Sequence, residues 1–348
     1  MIRPDLFLWL RPAIKIAKEG DDLLLSDAAG QVVHVHDPSN AAFRFVELLD
    51  GTQQDSSLQN EPLYQAIVPL LIERGWLVTL RNSSIAFFEK FPALTREISA
   101  FAHLYPAEAD YHFELMTRKR VLIVGAGGIG TTVAFGLAAA GVGVLTVVDP
   151  DVVELTNLNR QFLYTLADIG AQKAHVLARE LRRRFETTSV FPICENFDQF
   201  SLAEKLISSA DLIFLCAESS LLLDEPNLVK GRTFIMSGYR GTVGMVGPLL
   251  DDRRGSTCWA CLMDLHKRSS MRQIEELRDR RKDSWNPSGF SINALTGSIS
   301  VRICVSVLSE QNDSENWLGR QFQVSVREPE IRSVAIEPTR CPHSSVPS

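Results

Sequence analysis

The stretch Arg120-Val121-Leu122-Ile123-Val124-Gly125-Ala126-Gly127-Gly128-Ile129-Gly130, followed about twenty residues later by Val147-Val148-Asp149, decides the reading of this chain. An apolar strand runs into a glycine turn, and the turn opens a helix. Glycines let backbone N–H groups approach a phosphate closely, and the helix N-terminus adds the positive end of its dipole. Asp149 closes the next strand, where a carboxylate accepts hydrogen bonds from ribose hydroxyls. Taken alone, this fingerprint fits an NAD(P)-dependent dehydrogenase.

The residues after Asp149 point elsewhere. They read Pro150-Asp151-Val152-Val153-Glu154-Leu155-Thr156-Asn157-Leu158-Asn159-Arg160-Gln161-Phe162, and then Gly170-Ala171-Gln172-Lys173 enters a helix. Hydride transfer has little use for an Asn, an Arg and a Lys strung beside the nucleotide, whereas neutralising a triphosphate requires such groups. The glycine loop, Asp149, Asn157-x-x-Arg160-Gln161 and Gly170-x-x-Lys173, in this order, resemble the ThiF/MoeB family of adenylating enzymes, which includes the ubiquitin-activating enzymes.

That resemblance, over roughly 90–340, implies a Rossmann-like, doubly wound, mostly parallel sheet and ATP-dependent adenylation. It implies that Gly125, Gly127, Gly128 and Gly130 line the nucleotide and Asp149 holds the ribose. Asn157, Arg160, Gln161 and Lys173 are then the phosphate side of the site. Arg96 stands where the family places an arginine that enters a partner subunit's site, which implies a homodimer. The Mg²⁺ position carries Asp in the family and Glu218 here; glutamate can ligate Mg²⁺ through one oxygen.

Cys258-Trp259-Ala260-Cys261 has metal-ligand spacing, and Cys341-Pro342-His343 would complete a structural Zn²⁺ site. The family uses two cysteine pairs, but Ser344 occupies the fourth cysteine's place, leaving His343 as the substitute ligand. Cys194, Cys216 and Cys304 sit in apolar runs and read as small core residues. No cysteine lies in 265–290, where thioester-forming members keep their nucleophile, so thioester transfer is not expected.

Composition bounds the rest. The chain has 348 residues, is 45% hydrophobic and 22% charged, and carries a formal charge of −6, which offers nothing to nucleic acid. No apolar run reads as reaching the ~18–20 residues of a membrane span. Six cysteines and no signal-peptide pattern fit a reducing, cytoplasmic setting.

Residues 1–82 read as a separate small domain, with the adenylation domain over 83–348. Short strands are expected at Leu6–Leu10, Ala13–Ala17, Leu23–Leu25 and Val32–Val35. A helix capped by Ser39-Asn40 and stopped at Asp50-Gly51 comes next, then a second around Leu63–Leu71, and a strand after Gly75. This order suggests a winged helix-turn-helix. Its acidic excess excludes a DNA-binding role, since phosphate contacts need Lys and Arg. In element order and size this domain resembles the peptide clamp of enzymes that modify ribosomally made peptides, in which the leader of a precursor peptide adds as a strand to a sheet edge. That resemblance implies the peptide-modifying branch of the family, acting in antibiotic biosynthesis. A carrier-protein adenylyltransferase serving sulfur transfer stays as the alternative.

Beyond residue 120, strands and helices alternate as in a parallel sheet covered on both faces. Two further strands are expected at Phe322–Val326 and Ile331–Ile336, with an exposed charged helix over 271–282.

Overall fold

The computed structural model describes residues 2–268, 288–327 and 330–335. The helix expected over 271–282, and Cys341 and His343, lie outside the described residues. The chain divides into two compact units, Met1–Leu115 and Met116–Ser348.

The first unit holds two three-stranded antiparallel sheets. One has the order β5 (Asp50–Gln54), β1 (Phe7–Leu10), β6 (Leu77–Leu80); the other has β2 (Lys15–Glu19), β3 (Asp22–Ser26), β4 (Val32–His36). β5 falls where a helix stop was expected at Asp50-Gly51. Gly51 adopts φ +83°, a turn-like conformation inside the strand, which is why its local signal is that of a turn. Asn40 is the N-cap residue of the Ala41–Glu47 helix, as expected, but its side chain makes no cap bond; the Asp37 carboxylate accepts instead from Ala42 N at 3.1 Å and Phe43 N at 2.9 Å. Leu8, Leu23, Leu25, Phe45, Leu49, Leu71 and Trp76 form the core here, each worth roughly 1.5–3 kcal/mol when fully buried.

This unit runs past residue 82. Asp110, fully buried, accepts from Arg81 N and Asn82 N at 2.8 Å each. Phe113 is ringed by Phe87, Phe91 and Phe101 at centroid distances of 5.4–5.7 Å. The helices between Ser84 and Met116 therefore bind to the end of β6.

The second unit is a doubly wound sheet of eight strands. In spatial order they are β14 (Ile331–Ala335), β13 (Arg320–Ser325), β12 (Val243–Leu250), β11 (Phe234–Arg240), β10 (Leu212–Leu215), β7 (Arg120–Val124), β8 (Val144–Val148) and β9 (Ser189–Ile193). The run from β11 to β9 is parallel and the other three strands are antiparallel. Alternation along β7 sends Leu122 and Val124 to the face covered by the Phe200–Ser208 and Trp259–Arg268 helices. The Gly128–Ala139, Lys173–Arg182 and Phe290–Leu308 helices pack against the sheet from the other side. A short helix, Ser220–Asp224, gives way to a 3₁₀ turn, Pro226–Val229, because Pro226 lacks the N–H a continuous helix needs.

One expectation is corrected. Phe290–Leu308 is 19 residues long with a mean hydropathy of 1.4, which by length and composition could cross a membrane. Interspersed serines and Asn293 hide that run in the sequence. In the fold it is a core helix, packed on Gly128–Ala139 and β12: a Cβ at Gly136 would lie 2.5 Å from Val301, one at Gly297 2.6 Å from Thr132, and one at Gly244 2.0 Å from Thr296.

Candidate nucleotide site

The chain winds from β7 through β8 to β9 on one side, then returns to β10 and β11 on the other. The reversal sits between β7 and β10, and ligands of open α/β sheets bind outside the carboxyl ends of strands at such a switch point. Val124, Val148 and Leu215 end their strands in register. Gly125, Asp149 and the Cys216-Ala217-Glu218 turn therefore emerge along one edge.

The glycine loop is held through the Ala126 peptide. Its N–H donates to Asp149 Oδ2 at 2.6 Å, and its carbonyl accepts from Tyr164 Oη at 2.8 Å and Thr131 Oγ1 at 3.2 Å. Tyr164 and Thr131 carry no motif signal in the sequence. The four glycines serve different ends. A Cβ at Gly130 would lie 2.0 Å from Gly125 O, one at Gly128 2.4 Å from Asn293 Oδ1, and one at Gly125 3.0 Å from Ala217. Only at Gly127, of these four, is the space a Cβ would take open. Gly125 also needs φ +108°.

Asp149 is 6% exposed. Burial pushes its carboxyl above the ordinary range, against the pull of the Ala126 and Asp151 amides and the Lys173 charge. Its Oδ1 accepts from Asp151 N at 2.9 Å, which leaves lone pairs for further donors.

Lys173 opens the Lys173–Arg182 helix, is nearly buried, and donates from Nζ to Asp151 Oδ2 at 2.8 Å. Asn157, buried, accepts on Oδ1 from Glu154 N at 3.1 Å, so its carboxamide closes the 3₁₀ turn Leu155–Asn157. Arg160 donates from Nη1 to Thr156 O at 2.9 Å and Asn159 Oδ1 at 2.8 Å. Gln161 is 2% exposed, yet its Oε1 has no hydrogen-bond partner among the described residues. An orphaned buried acceptor is uncommon and fits a donor supplied by a ligand.

Glu218 is exposed, three residues beyond β10. The turn around it is fixed by Asp198, a residue without sequence signal, whose carboxylate accepts from Ser219 Oγ, Ser220 Oγ and Leu221 N at 2.8–3.0 Å. Despite burial, these donors hold the Asp198 carboxyl below its usual range. Arg96 is exposed on the Thr95–Leu104 helix of the first unit. Cys258 precedes the Trp259–Arg268 helix and Cys261 lies in its first turn, one turn apart. Among the described residues, no three His, Cys, Asp or Glu side chains gather as metal ligands. Cys304 is fully buried, while Cys194 and Cys216 are partly buried.

Comparison with known proteins agrees with this geometry. The ThiF family profile matches residues 106–344. The Nedd8-activating enzyme E1 catalytic subunit of Drosophila melanogaster is 34% identical over 168 residues, which is 43% of this chain and 36% of that protein. Molybdopterin-synthase adenylyltransferase of Escherichia coli is 31% identical over 166 residues, 47% of this chain and 66% of that protein. The chain thus spans less than two thirds of the length of these relatives. Among solved structures, E. coli MccB with ATP superposes with a TM-score of 0.72 at 20% identity, covering 98% of this chain and 99% of that one. The microcin C7 biosynthetic enzyme MccB in complex with N-formylated MccA gives 0.73 at 20% identity, over 97% and 99%. PaaA gives 0.66 at 19% identity, over 93% and 98%. These likenesses show a shared fold from end to end. With a matching profile over more than half its length, the chain belongs to the ThiF family.

Proposed function

We propose that this protein uses ATP to adenylate a carboxyl or carboxamide group of a ribosomally made precursor peptide, in a cytoplasmic pathway of peptide antibiotic biosynthesis. The observation that carries the peptide reading is the likeness to MccB over 98% of this chain, the first unit included. The sulfur-transfer and E1 relatives quoted above match less than half of it. One of those MccB structures holds a peptide partner, N-formylated MccA.

In the step itself, the substrate oxygen attacks the α-phosphorus. A P–O bond forms, the bond to the bridging oxygen breaks, and pyrophosphate leaves with that electron pair. The protein supplies position and charge. Asp149 accepts from the ribose hydroxyls, Lys173 and Arg160 take the phosphate oxygens, and Asn157 holds the turn that aims Arg160. Gln161 Oε1 is an acceptor, so its partner would be a donor of the nucleotide or substrate, such as a hydroxyl or amide, and not a phosphate oxygen. Arg96 of a second copy would add a guanidinium, making the enzyme a homodimer.

Magnesium, held by Glu218, would neutralise charge on the pyrophosphate. A single exposed carboxylate such as Glu218 suits an ion that keeps most of its waters. Cys258 and Cys261 would give two thiolates to a structural zinc, with Cys341 and His343 completing the set.

The second reading, adenylation of a carrier protein for sulfur transfer, draws on the names of the curated relatives. Isotopic ATP–pyrophosphate exchange separates the two. Stimulation by a candidate precursor peptide, and none by a ubiquitin-like carrier, is the expected outcome; the reverse pattern would overturn the peptide reading.

A further inference from the structure

Asn159 stands between Asn157 and Arg160, two of the residues read as phosphate-side ligands, and is itself exposed. Its carboxamide is used at both ends. Oδ1 accepts from Arg160 Nη1 at 2.8 Å, and Nδ2 donates to Ser288 O at 3.2 Å. Arg160 Nη1 has two protons, and its two acceptors, Thr156 O and Asn159 Oδ1, take both. No described residue engages Nη2 or Nε. Those two nitrogens share one edge of the guanidinium, and that edge forms paired hydrogen bonds to phosphate oxygens.

Ser288 is held from a second direction. Asn293, 1% exposed, donates from Nδ2 to Ser288 Oγ at 2.9 Å and to Gly289 O at 2.7 Å. Its Oδ1 lies against Gly128, within 2.4 Å of where a Cβ would stand. Phe162, two residues after Arg160, meets Phe290 edge-on with centroids 6.1 Å apart. The arginine loop and the glycine loop are thus both referenced to the Ser288–Asn293 segment through two carboxamides.

We infer that Asn159 is a positioning residue for Arg160. It fixes the guanidinium so that the Nε–Nη2 edge faces the phosphates, and it ties that orientation to Ser288. The inference rests on the reading of Arg160 as a phosphate ligand. An arginine left loose must be ordered when the nucleotide binds, and immobilising one rotamer-rich side chain weakens binding by roughly two- to tenfold. Nothing in that cost involves the base or ribose.

The test is titration calorimetry of the full chain with ATP and, separately, with adenosine, on wild type, Asn159→Ala, Arg160→Ala and the double variant. Thermal melts serve as a fold control, since Asn159 is exposed and its alanine variant should keep the fold. Asn159→Ala should weaken ATP roughly two- to tenfold and leave adenosine unchanged. The double variant should bind ATP as Arg160→Ala does, because a residue acting only through Arg160 has nothing left to orient. Equal weakening of ATP and adenosine would mean a merely structural asparagine and overturn the proposal. So would additive losses in the double variant, or unchanged ATP affinity in Asn159→Ala while Arg160→Ala weakens it. If Arg160→Ala itself binds ATP normally, the phosphate reading fails first and takes the proposal with it.

Discussion

Lys173 is pinned to Asp151 at both of its ends: its backbone N–H donates to Asp151 O at 2.9 Å, and its ammonium to Asp151 Oδ2 at 2.8 Å. The lysine side chain is 9% exposed and the aspartate side chain 64%, so the charge is aimed outward past a solvated partner. A phosphate can take over that partner's role, because an exposed carboxylate returns to water at little cost.

Lys173→Ala should therefore cut peptide-stimulated pyrophosphate exchange by roughly a hundredfold or more, the usual loss for a preorganised cation. Its stability should fall by no more than about 1 kcal/mol. Urea denaturation and exchange assays on the same preparation check both. A variant that exchanges near normally would end the adenylation mechanism.

Two glycines should part company. Gly130→Ala pushes a methyl into Gly125 O at 2.0 Å, so it should destabilise by roughly 1–3 kcal/mol, as overpacking does. Gly127→Ala meets open space and should change stability by less than about 1 kcal/mol, yet weaken ATP. If Gly127→Ala binds ATP like wild type, that glycine does not line the nucleotide.

Asp168 gives a pH signature. Its Oδ2 accepts from Thr165 N and Oγ1, and its Oδ1 from Arg179 Nη2 at 2.6 Å. Although burial pushes upward, Arg179 and Thr165 hold its carboxyl below the ordinary range. A depressed folded pKa means the folded state releases this proton more readily than the unfolded chain. The stabilisation is complete above the unfolded pKa and disappears as pH falls through the folded one. Asp168→Asn should cost on the order of 1–2 kcal/mol at neutral pH, with the gap to wild type closing in acid. A gap that does not change with pH would assign the effect to shape rather than charge.

The clamp reading predicts where a peptide docks. β2 and β4 are the outer strands of their sheet among the described residues. Of two adjacent edge residues, one turns its N–H away from the ladder. Of Ile16→Pro and Ala17→Pro, the one at the outward-facing position should keep the fold and raise KM for the peptide while leaving ATP binding alone. Peptide KM unchanged in both, with the fold intact, would remove β2 from consideration.

Arg96 tests the homodimer. If it acts across a two-fold interface, Arg96→Ala and Lys173→Ala should each be inactive alone. Mixed under subunit exchange, they should regain up to about half the activity per mixed dimer, since one of its two sites has both residues. An active Arg96→Ala enzyme would show that the residue is an ordinary surface arginine.

The parallel strands were legible because each carries an apolar run bounded by turn residues, and the resemblance supplied the doubly wound class; their order in the sheet was not legible. Asp149, Asn157, Arg160 and Lys173 were legible as a spacing pattern. What escaped was tertiary. Tyr164 and Asp198 act on residues 38 and 21–23 positions away, and no local periodicity marks such a bond. β5 escaped because Gly51 gives a strand the signature of a turn. The Trp259–Arg268 helix escaped because the Cys258–Cys261 spacing suits a metal-ligand pair as well as one helical turn. The boundary set at 82 fell short of Leu115 because nothing local announces that Asp110 and Phe113 fold back onto β6.

The Phe290–Leu308 helix has a consequence for how the chain is made. Its apolar length would invite insertion into a bilayer or clumping with other nascent chains if it stayed bare. Its main partners, the Gly128–Ala139 helix and β12, both precede it in the chain, although β13, which follows it, also touches it. A ribosome delivers them first, so when this segment emerges, the glycine-lined groove that accepts it has already been synthesised.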